Sequence, residues 1–177
     1  MGSHMNRVED KNSTPLVGIV MGSDSDWGVM QEATSVLKEL EIPFDVTVSS
    51  AHRSPERTAE YGRSARASGL KVIIAGAGAA AHLAGSIAAV TTLPVIGVPL
   101  DSSSLKGMDA LLATVQMPAG VPVATMAIGT AGAKNAAILA AQILATTDPE
   151  MEARLEAYKE HLAAQVAQKA EAMRQRM

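Results

Sequence analysis

Three short segments of the chain hold residue types that could carry chemistry. In Ser49-Ser50-Ala51-His52-Arg53-Ser54-Pro55 an imidazole stands directly beside a guanidinium. Imidazole moves a proton in either direction near neutrality, while arginine clamps a phosphate or carboxylate through two parallel hydrogen bonds. Gly22-Ser23-Asp24-Ser25-Asp26-Trp27 sets small and short polar side chains ahead of a helical pattern. Unpaired backbone N–H groups and the helix dipole favour a phosphate there, although Ser and Asp also serve as plain helix caps. Gly76-Ala77-Gly78-Ala79-Ala80-Ala81-His82-Leu83 reads as a turn almost bare of side chains. Such backbone can approach a carboxylate, a carbonyl or CO₂ closely and meet it with N–H groups. Taken alone, His82 reads as a structural histidine donating to a carbonyl, and His161, on a polar helical stretch, reads as surface.

Other chemistries fit these residues less well. A dinucleotide fingerprint follows the first strand and is answered by an acidic residue about 20 positions on, whereas the glycines here follow the third strand. No metal site is expected, because the chain has no cysteine and no histidine pair at helical spacing. No G-x-S-x-G elbow marks a serine nucleophile. A small phosphorylated substrate handled by acid/base chemistry is what remains.

Positioning these segments requires a repeating frame. Leu16 to Met21, Phe44 to Val48, Val72 to Ala75, Val95 to Val98 and Val123 to Ile128 are short apolar runs without strict polar alternation, the pattern of strands covered on both faces. Between the first two, Val29, Met30, Ala33, Val36, Leu37 and Leu40 fall at helical spacing, with Pro43 beyond the end. Ser54 as N-cap and Pro55 in the first turn start a second helix to about Ala67, closed by Gly69. The repeat predicts an α/β fold, a three-layer doubly wound parallel sheet with right-handed crossovers. In such sheets ligands bind beyond the carboxyl ends of the strands, where all three segments fall. Ala133 to Ala145 is an apolar helix nearly all round and calls for burial on every side. An extra C-terminal helix over 149–174 is capped by Asp148, docks through Met151, Leu155, Tyr158 and Leu162, and frays toward Met177.

Composition narrows the function further. The 177 residues are 47% hydrophobic and 19% charged, which fits one globular domain. Met1 to Met5 (MGSHM) reads as a tag-cleavage scar and the polar stretch to Thr14 as disordered, leaving 15–177 as the domain. A net charge of −3 gives no footprint for gripping nucleic acid or an anionic membrane. The uncharged run from Val72 to Leu100 is broken by glycines and prolines and is not a membrane span. Cysteine is absent, which suits a reducing compartment, and the cytoplasm is expected. From Ser68 to Thr147 the only charged residues are Lys71, Asp101, Lys106, Asp109 and Lys134, too few to coat a monomer, so a homo-oligomer is expected.

MGSDSDW at 21–27, SAHRSP at 50–55, AGAGAAAHLAG at 75–85, GVPLDSSSLKGMDAL at 97–111 and VQMPAGVPVATMAIG at 115–129 resemble, in order and spacing, the class I N5-carboxyaminoimidazole ribonucleotide mutases of bacterial purine biosynthesis. The match runs from Val17 to about Asp148. It implies a flavodoxin-like fold, a homo-octamer, no cofactor, and movement of a carboxylate from N5 to C4 of aminoimidazole ribonucleotide on the way to IMP. Carried over by position, the resemblance makes Ser23, Ser25, Asp26, Ser50 and Arg53 holders of the ribose 5-phosphate, with Ser23 and Arg53 at the phosphate and Asp26 at the ribose hydroxyls. It makes His52 the general acid/base. Gly78, Ala79 and Ala80, with His82 and Leu83 behind them, would pocket the migrating CO₂ and exclude water.

Two departures stand out. The family usually reads GAGGAAHLPG, so Ala79 and Ala84 replace a glycine and a proline, and a methyl at Ala79 is unwelcome if the backbone there needs φ > 0. Asp101 and the serines to Ser104 read as neutral variation. The class II enzyme, which carboxylates aminoimidazole ribonucleotide directly with CO₂, is the near rival, but a lysine typically follows its histidine where this chain has Arg53. An inactive nucleotide-binding module on the same fold is the rival from another class.

Overall fold

The computed structural model describes residues 14–177, so the expected disorder of the tag scar and the segment after it, residues 1–13, lies outside the described residues. The element order is β1 (Val17–Met21), α1 (Trp27–Glu39), β2 (Phe44–Val48), α2 (Pro55–Ser64), β3 (Val72–Gly78), α3 (Leu83–Ala88), β4 (Val95–Leu100), α4 (Met108–Val115), β5 (Ala124–Thr125), α5 (Thr130–Ala145) and α6 (Pro149–Arg174). The strands form one parallel sheet in the order β2-β1-β3-β4-β5. This is the flavodoxin-like doubly wound arrangement, with its switch point between β1 and β3.

Alternation along each strand divides the core. Val17, Ile19 and Met21 of β1 and Ile74 of β3 face α1 and α5, while Val20, Ile73 and Ala75 face α2 and α3. Alanines set the spacing of the first layer: Ala33 of α1 and Ala133, Ala136, Ala137, Ala140 and Ala141 of α5 are fully buried. Side chains this short let two helices approach closely over one sheet. At Gly132 an added Cβ would meet the backbone carbonyl of Ala127.

Several boundaries differ from expectation, each for a physical reason. β3 runs on to Gly78 and β4 to Leu100, because the ladder between them carries the small residues that looked like a turn and reaches Pro99 and Leu100. β5 shrinks to Ala124–Thr125. Beyond it Met126 N–H donates to Gly97 and Gly129 N–H to Pro99, so the chain follows β4 without a continuous ladder. The α2 helix stops at Ser64 and unwinds through a turn that Gly69 closes with φ +97°. Ser54 occupies the N-cap position, but its hydroxyl donates to the Ser50 carbonyl (3.0 Å) rather than capping α2.

α5 begins at Thr130 and is not buried on every side: Lys134, Asn135 and Gln142 are exposed, and its apolar face is covered within the chain. Exposed apolar side chains cluster instead at Leu105 (61% exposed), just before α4, and at Met108, Leu112 (52%) and Val115 along it. α6 spans the expected residues, with Asp148 accepting from the N–H groups of Glu150 and Met151, both at 3.1 Å. Its stripe docks through Met151, Leu155 and Tyr158 only, since Leu162 is exposed. Among the described residues no helix is long and apolar enough to cross a membrane.

Because the Ala127 carbonyl is backbone and cannot swing aside, Gly132→Ala is expected to destabilise the fold by about 2–3 kcal/mol. Denaturant midpoints at matched protein concentration measure this, and an unchanged midpoint would refute the close α5 contact.

Candidate active site

The first two strands end level, and β3 runs two residues past them to Gly78. Met21 pairs with Val48 on one side and with Gly76 on the other, so the chain leaves β1 and β2 at the same height, beside β3. Two hydrogen bonds extend that register beyond the strands: Gly22 N–H to Gly76 (3.2 Å) and Ser49 N–H to Met21 (2.8 Å). The buried Ser49 hydroxyl lies 2.8 Å from that of Thr58, pinning the exit of β2 to the first turns of α2.

After β1, Ser23 to Asp26 form a 3₁₀ turn closed on itself. The Ser23 N–H donates to Asp26 Oδ2 (3.0 Å) and the Ser25 N–H to Ser23 Oγ (3.4 Å), a reciprocal capping box. The cap reading of this segment is realised, with a correction. The cap belongs to the short turn and not to α1, and the N–H groups of Ser23 and Ser25 are already used within it. What the turn offers outward is hydroxyl and carboxylate. Burial, the largest influence, together with the nearby Asp24 charge, raises the Asp26 carboxyl above its ordinary range, against the opposing pull of the Ser23 N–H and of Arg53.

After β2, Ser50 Oγ accepts from the Arg53 N–H (3.2 Å) and Arg53 Nε (3.4 Å), and Arg53 Nη2 donates to the Gly22 carbonyl (3.2 Å). The guanidinium thus bridges the loops after β1 and β2 and keeps its remaining N–H groups for a ligand. His52 Nε2 lies 2.8 Å from Nδ1 of His82, the rings edge-on with planes 79° apart. His82 follows β3, so the pair closes over the end of β1 from both neighbouring strands. Its ring partner is an imidazole and not the carbonyl expected of a structural histidine.

These parts enclose a cleft of about 420 Å³. Of the residues singled out from sequence, Ser23, Ser25, Asp26, Ser50, His52, Arg53, Gly78, Ala80 and Leu83 line it, while Ala79 and His82 do not. Ala79 stands exposed at the turn with φ +51°, the left-handed conformation for which glycine is suited. Ser102, read as neutral, lies in the wall. A Cβ on Gly78 would collide with its hydroxyl, so glycine is required where the chains after β3 and β4 converge. Its position just past β4, at the ligand edge, is the signal that could have marked it.

A flavodoxin-like sheet here gathers imidazole, guanidinium, hydroxyls and a carboxylate over β1, groups able to meet an anion and to move a proton. Comparison with known proteins narrows the class. Residues 16–165 match the model of the AIR carboxylase family, and the chain belongs to that family. It is 53% identical over 163 residues to the N5-carboxyaminoimidazole ribonucleotide mutase of Pyrococcus horikoshii, covering 92% of this chain and 91% of the relative. The mutase of Bacillus subtilis is 58% identical over 147 residues, 83% of this chain and 91% of the relative. Treponema denticola PurE superposes with a TM-score of 0.80 at 30% identity, over 89% of this chain and 98% of that one.

Two outcomes follow from this geometry. Ala79→Gly is expected to stabilise the protein by about 1 kcal/mol, as relief of a left-handed alanine outweighs the added chain entropy. A lowered melting temperature would contradict it. For Asp26, the raised carboxyl pKa means that the fold favours the protonated form. Its contribution is fully present below the ordinary 3.8 and is lost as pH rises through the folded value. Asp26→Asn, which keeps an acceptor for the Ser23 N–H, should therefore gain in melting temperature over the parent as pH rises, then level off. A gap that shrinks with rising pH would reverse the sign of the argument.

Proposed function

We propose that this protein is an N5-carboxyaminoimidazole ribonucleotide mutase, an isomerase of purine biosynthesis that moves the carboxylate from N5 to C4 of the imidazole. The observation that carries the reading is the meeting of His52 and Arg53 with the Ser23–Asp26 turn in one cleft. Relatives bearing that name at 53% and 58% identity over most of the chain support it.

In this reading Arg53 and the hydroxyls of Ser23, Ser25 and Ser50 take the ribose 5-phosphate, and Asp26 accepts from the ribose hydroxyls. The N5–carboxylate bond breaks to release CO₂, and the electron pair left on N5 takes a proton from His52. Gly78, Ala80 and Leu83 hold the CO₂ against the ring and exclude water. C4 then attacks CO₂, and His52 removes the C4 proton, so the imidazole ends as it began. No cofactor or metal takes part. Residues 15–177 act as one domain, in a cytoplasmic homo-octamer whose contacts draw on the exposed apolar side chains of α4.

Substrate labelled with ¹³C in its carboxylate, supplied in buffer rich in unlabelled CO₂, tests the reading. Retention of label at C4 is the expected result. Dilution into the pool would indicate direct carboxylation, and no product above background would indicate a binding module. His52→Asn should abolish turnover while leaving substrate affinity within about threefold.

A further inference from the structure

The catalytic proposal leaves His82 without a chemical task, since its side chain does not line the cleft. Its backbone is nonetheless firmly held. The His82 N–H donates to the Ala80 carbonyl (2.8 Å), and its own carbonyl accepts from Ser86 (2.9 Å). The next residue, Leu83, is buried and anchors the start of α3 in the core. The left-handed Ala79 turns the chain off β3 immediately before. A strained turn, a fixed backbone and a buried neighbour together deliver one imidazole nitrogen to 2.8 Å from His52 Nε2.

That contact settles which nitrogen of His52 can face a substrate. A neutral imidazole carries one N–H and one lone pair, and a solvent-exposed ring can present either nitrogen by turning over. With Nε2 held by His82, only Nδ1 remains, and among the described residues Nδ1 has no hydrogen-bond partner. We infer that His82 is a positioning residue: its Nδ1 accepts the His52 Nε2–H throughout the cycle and makes His52 Nδ1 the one nitrogen that lends and reclaims the substrate proton. The inference rests on the mutase reading and deepens it.

The proton account closes. His52 begins as imidazolium with protons on both nitrogens, Nε2–H bonded to His82. As the N5–carboxylate bond breaks, the Nδ1 proton passes to N5, leaving neutral His52 as the Nε2–H tautomer. Its Nδ1 lone pair then faces the carbon to be deprotonated. Without the acceptor, the neutral ring can take the opposite tautomer, in which Nδ1 carries a proton and cannot act as base. His82 stays neutral, protonated on Nε2, and exchanges nothing.

The test pairs two substitutions with a spectrum. His82→Leu removes the acceptor, and kcat is expected to fall by on the order of 10²-fold with KM changed less than about threefold. His82→Asn can bring an amide oxygen near the Nδ1 position, and should recover kcat to within about tenfold of the parent. In the ¹⁵N spectrum of the histidine-labelled parent, with only four histidines, neutral His52 should show Nε2 protonated and Nδ1 bare; His82→Leu should turn this into a tautomer mixture. Undiminished kcat in His82→Leu, a loss confined to KM, an asparagine variant as poor as the leucine one, or a parent spectrum with bare Nε2 would each overturn the inference. A parent without mutase turnover would sink the functional reading instead, while the spectrum still decides the histidine pair.

Discussion

The site depends on a single constraint, the parallel register that ends β1 and β2 at one level beside the longer β3. Met21 is paired on both sides, and the bonds from Gly22 and Ser49 continue the ladder into the loops. Loops are ordinarily the mobile part of an α/β domain. Here their first residues inherit the rigidity of the sheet, so Arg53 can reach Gly22 and His52 can reach His82 without long flexible segments between them. The layer beneath is built from alanine, which keeps α1 and α5 close against the strands that set this register.

Crowding at the sheet edge determines which residues can stand there. Where β3 and β4 converge, Gly78 leaves room for the Ser102 hydroxyl, and the chain must then turn sharply to start α3. Ala79 makes that turn in a conformation that costs an alanine on the order of 1 kcal/mol. Burial desolvates Asp26, whose carboxylate is kept near a guanidinium yet remains harder to ionise than a surface aspartate.

Much of this was legible in the sequence, and the failures have common causes. Apolar runs, Pro55, Gly69 and the Asp148-Pro149 cap announced the alternating elements, and α6 falls on the expected residues. Gly76 to Gly78 lacked the side chains that mark a strand, yet they continue β3 because neighbouring ladders supply what local propensity does not. The shortness of β5 is likewise a matter of tertiary pairing. The internal consumption of the Ser23 and Ser25 N–H groups needed the turn geometry, as did the His52–His82 bond across thirty residues. Motif order located the loops; it could not say which donors each loop had left to give.

That last distinction bears on how a phosphorylated substrate would be held. With the Ser23 and Ser25 N–H groups occupied, the proposed phosphate site draws on hydroxyls and on one guanidinium already braced by a carbonyl and a serine. A braced arginine loses less side-chain freedom on binding than a free one, so more of its interaction energy survives as affinity. The same economy extends to the imidazole. On the proposed reading one ring serves both proton transfers, which requires that it neither rotate nor change the nitrogen it presents. On that reading a second imidazole, on the adjacent turn after β3, supplies the restraint through the 2.8 Å contact.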